Sequence, residues 1–66
     1  SPDEQLGSTI VSALYELFLA VDKKQFVELR KNLISFFVDQ FGEVNLDQFP
    51  TYEDLSEHFS LGDPSL

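Results

Sequence analysis

The side chains able to do chemistry are narrow in kind, although carboxylates are plentiful. The chain carries 12 Asp and Glu, a single histidine (His58) and no cysteine. A metal site needs several convergent His or Cys ligands, and one is on offer. His58 stands in an acidic stretch, where a solvated surface histidine is expected. Paired carboxylates catalyse only where a pocket drives their pKa values apart, and three short helices seldom build one. Serine and threonine hydroxyls have no evident base. The glycines (Gly7, Gly42 and Gly62) are scattered rather than grouped into a phosphate loop. No catalytic residue, cofactor or metal is expected. The chemistry on offer is recognition, not catalysis.

Charge says what could be recognised. The formal net charge is -8 over 66 residues, and all four basic residues (Lys23, Lys24, Arg30, Lys31) fall within nine positions. From Asn32 onward there are seven acids and no Lys or Arg. Nucleic acid would be repelled by most of such a surface. A basic protein surface would be steered toward it, although acidity also serves plain solubility. The apolar runs are far too short for a membrane span. The expectation is a soluble, cytoplasmic protein.

The elements that must carry these charges are legible from their punctuation. Ser1 as N-cap, Pro2 in the first turn and Glu4 as capping-box partner open a helix over about 2–21. Gly7 weakens its first turn, so a start at Ser8 or Thr9 is an alternative. Leu6, Ile10, Ala13, Leu14, Leu17 and Val21 recur at helical spacing, and Val11, Phe18 and Leu19 widen the buried face. Asp22 is a fresh N-cap for a second helix over 23–41, which Gly42 ends. A loop over 43–50 tucks Val44, Leu46 and Phe49 onto the core. Thr51 and Asp54 form a capping box for a third helix over 51–60, with Tyr52, Leu55 and Phe59 inward and Gly62 and Pro64 closing it. The fold class is all-α, a single domain of three helices. A partner, or dimerisation, can complete it to a four-helix-type bundle.

The second helix carries more apolar residues than one stripe. Phe26, Leu29, Leu33 and Phe37 are expected to face the first helix, leaving Val27, Ile34, Val38 and Phe41 for a partner helix or a second copy. A chain this small buries only about 60% of the surface exposed on unfolding, so its own core competes for the same residues. Asp39, Glu43, Asp47, Glu53, Asp54 and Glu57 are the acids expected to select a basic partner. Lys23, Arg30, Lys24 and Lys31 form two seven-residue-spaced pairs, available to Glu28 and Asp22 or to a partner's acids. For Lys24 and Lys31 a solvated helix surface is favoured.

From Val21 to Phe59 the chain resembles the latter part of an acyl or peptidyl carrier protein of polyketide, fatty-acid or nonribosomal peptide synthases. The resemblance rests on Val27-Glu28-Leu29-Arg30, Asn32-Leu33, Phe41-Gly42, and the run from Phe49-Pro50-Thr51 to Phe59. It departs where it matters for modification. The family attaches phosphopantetheine to serine in an Asp-Ser-Leu motif, and the aligned residues here are Asp22-Lys23-Lys24. The family's long first loop is also missing. A second frame sets Leu6-Gly7-Ser8-Thr9-Ile10 over a Leu-Gly-Gly-x-Ser pattern, making Ser8 the candidate, without the aspartate. Matches and departures together resemble a docking domain, degenerate and carrier-like, of a modular polyketide or polyketide–nonribosomal peptide synthase. That resemblance implies a non-catalytic module joining multienzyme subunits through an apolar helix face and complementary charges, with another synthase subunit as partner. Two alternatives stand beside it: a carrier-like domain modified on Ser8 or Ser35, and a small acidic regulator occupying a basic site on another protein.

Overall fold

A computed structural model describes residues 2–61, with side chains from Leu6 to Leu61. Three helices follow one another: α1 (Pro2–Ala20), α2 (Lys23–Phe41) and α3 (Tyr52–Ser60), with a 3-10 turn at Leu46–Gln48 between the last two. There is no strand among the described residues. No helix there is long and apolar enough to cross a membrane.

The boundaries follow local hydrogen bonding. Asp22 is extended (φ -75°, ψ 171°) and its carboxylate accepts the Gln25 amide at 2.8 Å, which stops α1 and starts α2 with a two-residue joint. Gly42 takes φ 88° and donates its N–H to the Val38 carbonyl at 2.7 Å, ending α2 in backbone that other residues rarely adopt. Thr51 and Asp54 cap α3 reciprocally, the Asp54 amide donating to Thr51 Oγ1 and the Thr51 amide to Asp54 Oδ2, each at 3.0 Å. The Ser1 cap, the Glu4 side chain, and Gly62 with Pro64 lie outside what is described.

α1 is helical from Pro2 onward, so Gly7 does not delay its start. A Cβ added there would meet Gln48 Nε2 at 3.2 Å and Cδ at 3.6 Å, the far end of a flexible, half-buried side chain. That chain end can yield a few tenths of an ångström. Gly7→Ala is therefore expected to stabilise the protein by about 0.5–1 kcal/mol through helix propensity. In thermal unfolding the midpoint should rise, and a fall would mean that Gln48 is pinned.

The core is small and aromatic. Ile10, Leu14, Phe26, Phe49 and Leu55 are buried, ringed by half-buried residues including Phe18, Leu33, Phe37 and Tyr52. Phe18 stacks on Phe59 (5.2 Å between centroids, 7° between planes), while Phe26 meets Tyr52 edge-on at 5.5 Å. The molecule measures 35 × 28 × 16 Å over Cα atoms. Two packed helices span roughly 13–15 Å by that measure, so the bundle is one helix pair thick. One face of each long helix is left to solvent.

Several expectations about individual residues are corrected. Leu29, placed inward, is 37% exposed, while Ile34, placed outward, packs half-buried against the core. The inward face of α2 runs through Phe26, Arg30, Leu33, Ile34 and Phe37, all buried or half-buried, which rotates it away from Leu29. Ala13 and Leu19 face outward on α1. Leu46 is also exposed, because the 3-10 turn swings it outward while burying Phe49.

Candidate functional site

The candidate site is the outward flank of α2 and the groove at its end. Lys24, Val27, Lys31, Ile34, Val38 and Phe41 succeed one another at alternating three- and four-residue steps. That is the spacing of a seam against a second helix. Val27 is 49% exposed, Val38 39% and Phe41 63%, whereas Ile34 shares itself between seam and core. On the opposite flank of α2, Leu29 and Phe36 are also exposed. Among the described residues, five of the nine large exposed hydrophobics thus sit on α2. Of the four residues expected to face a partner, Val27, Val38 and Phe41 are exposed and Ile34 is half-buried.

At the C-terminal end of α2 the seam runs into a groove of ≈ 230 Å³. Leu6 and Ile10 of α1, Phe37 and Phe41 of α2, and Val44 and Phe49 of the following loop form its apolar walls; Glu43 and Gln48 add the polar part. Phe37 stacks on Phe41 and meets Phe49 edge-on, at 5.7 and 5.8 Å between centroids. Sequence periodicity had no means of showing this groove, because its walls join the start of α1 to the end of α2 and the loop that follows it.

The acids divide into engaged and free. Glu53 pairs with Lys23 at 2.9 Å, between two largely exposed side chains. This bond holds Lys23 above, and Glu53 below, its ordinary pKa. Lys23 therefore reaches across to α3 rather than to Glu28 or Asp22. Asp54 is spent on its cap: the Thr51 amide, then the Thr51 side chain and more distantly the Arg30 charge, hold it below the usual carboxylate range. Asp39, Glu43, Asp47 and Glu57 are exposed, and no ion pair among the described residues uses them. Of the six acids expected to select a partner, these four remain free.

A carboxyl depressed on folding contributes stability that is present above its unfolded pKa. That contribution is lost as pH falls through the folded value. The Thr51 amide resonance is accordingly expected to titrate with a midpoint below that of an ordinary aspartate. A midpoint at the ordinary value would show that the cap does not persist in solution.

Two polar residues have roles that sequence reading missed. Arg30 donates from Nε to the Phe49 and Pro50 carbonyls (3.1 and 3.2 Å) and from Nη2 to the Phe49 carbonyl (2.8 Å). It ties the loop before α3 to α2. His58, expected to be solvated, is half-buried: its Nε2 lies 3.1 Å from the Tyr15 hydroxyl, with its ring edge-on to Tyr15 and Phe59. It serves the contact between α1 and α3.

The carrier-like alternative finds Ser8 exposed within α1 and Ser35 exposed on α2, away from the groove lining. The residue aligned with the carrier's serine is Lys23, paired with Glu53. No group of three or more His, Cys, Asp or Glu among the described residues could hold a metal ion. No family profile matches the chain, and neither the curated proteins nor the solved structures yield a match.

Proposed function

We propose that this chain is a non-catalytic docking module of the cytoplasm, joining protein subunits through the outward flank of α2. The observation that carries the reading is the exposure of Val27, Val38 and Phe41 along one flank of that helix, at positions of a coiled-coil spacing. Given the likeness of Val27–Arg30 and Phe49–Phe59 to synthase carrier domains, the partner is a terminal helix of another polyketide or polyketide–nonribosomal peptide synthase subunit. Burying each half-exposed seam residue would contribute about 1 kcal/mol. Association itself costs several kcal/mol, so binding through the seam alone is weak and reversible. Asp39, Glu43, Asp47 and Glu57 choose among partners by charge.

The test is calorimetric titration with the terminal helical segments of the cognate synthase subunits. Val27→Asp with Val38→Asp is expected to weaken binding about 100-fold, since each buries an unpaired charge in the interface. Helix content by circular dichroism should stay the same. Reversal of the four free acids to lysine should weaken binding as well, most strongly at low salt. If no synthase segment binds, the synthase attribution fails. If the double aspartate variant binds as the parent does, the seam is not the docking face.

A further inference from the structure

We infer that the groove closing the end of α2 is a receptor for a single apolar side chain carried by a basic helix of the partner. The inference rests on the docking reading above and adds where that partner is anchored and what charge flanks the anchor. At ≈ 230 Å³ the groove is smaller than the roughly 300–1,000 Å³ of small-molecule pockets. Its walls are aromatic and aliphatic, with Phe37 stacked on Phe41, which suits a leucine or phenylalanine side chain.

Charge settles the kind of helix. Every basic residue lies between Lys23 and Lys31, and Phe37 stands about 9 Å further along α2 than Lys31. Lys23 and Arg30 are already taken up by Glu53 and by the loop carbonyls. Glu43 stands in the groove wall, and exposed Asp47 adjoins the lining residue Gln48. Lys or Arg beside the partner's anchor would meet these carboxylates without competition from a resident cation. A second copy of this chain fits poorly. It would bring a net charge of -8 to an acidic rim, with Lys24 and Lys31 as the cations in no ion pair among the described residues.

The probes are two amphipathic helical peptides of about 14 residues with one leucine pattern, lysine filling the polar positions of one and glutamate those of the other. Two-dimensional NMR and calorimetry at low salt read the outcome. The lysine peptide should saturate and shift the amides of Leu6, Phe41, Val44 and Phe49, and the glutamate peptide should bind at least 10-fold more weakly. Leu6→Ser lies off the α2 seam and leaves the charge unchanged, so it should cost the lysine peptide about 10-fold. Phe41→Ser, at an exposed position shared by seam and groove, should cost it at least as much. Binding unaffected by both would be mere attraction between opposite charges and would overturn the inference. Shifts confined to Val27–Val38 would overturn the groove while leaving the docking face standing. Concentration-dependent dimerisation that shields the groove signals would make a second copy the occupant and overturn it too.

Discussion

Phe26→Ala is expected to leave the protein unfolded, or without fixed side-chain packing, at room temperature. Phe26 has no exposed surface and meets Phe18 and Tyr52 edge-on, at 6.3 and 5.5 Å between centroids. It joins α2 to both other helices in a core shared with Ile10, Leu14, Phe49 and Leu55. Truncating a buried phenylalanine costs about 3–5 kcal/mol, transfer and cavity together. At about 0.05–0.15 kcal/mol per residue the whole fold holds only about 3–10 kcal/mol. A thin bundle without disulfides belongs near the lower end. Circular dichroism and thermal unfolding decide it. Phe36→Ala, made at a position 55% exposed, is the control and should unfold nearly as the parent does. Equal stability of the two variants would mean that the buried cluster does not hold the helices together.

The second large effect is expected at Arg30. Its guanidinium spans 19 and 20 positions of sequence to the carbonyls of Phe49 and Pro50. Hydrogen bonds from a charged donor contribute about 1.5–3 kcal/mol. Arg30→Ala should cost about that much, because two carbonyls lose their donor and the stem leaves a gap. The loss should be local first. Amides from Val44 to Thr51 should exchange faster with solvent than those of α1. Arg30→Lys should recover little, since an ammonium cannot present the same planar fork to two carbonyls. Full rescue by lysine would show that charge alone, and not the fork, holds the loop.

What the sequence revealed and concealed divides along the same line, local against non-local. Asp22, Gly42, Thr51 and Asp54 act within three or four residues, so these residue types announce the helix ends to within a residue. Which flank of α2 turns inward is a different matter. Apolar residues cover most of its circumference, and Leu29 and Ile34 are equally good candidates until α3 and the 43–51 loop take their places. Leu46 and Phe49 stand three apart in one loop, both strongly apolar, and only the 3-10 turn separates them into outside and inside. Arg30 reads as surface charge because its acceptors are backbone carbonyls, which have no sequence signature. His58 and Tyr15 are 43 positions apart, so their contact is invisible before the helices pack.

Of the candidate site, the exposure of Val27, Val38 and Phe41 on the solvent side of α2 is legible in the helical pattern. The free acids were legible only as a pool. Geometry withdraws Glu53 to Lys23 and Asp54 to its cap, and leaves Asp39, Glu43, Asp47 and Glu57. The groove between the start of α1 and the end of α2 came from packing alone. The self-complementary alternative, two copies joined along α2, must overcome a net charge of -8 on each.

Whether the greasy flank of α2 stands open in the isolated protein can be read directly from paramagnetic relaxation by a soluble gadolinium chelate. The methyl signals of Val27 and Val38 and the ring of Phe41 should broaden strongly, while Leu14, Phe26 and Leu55 stay sharp. Val27 and Val38 as well protected as Leu14, at the lowest usable concentration, would mean the flank is already covered and no docking face exists.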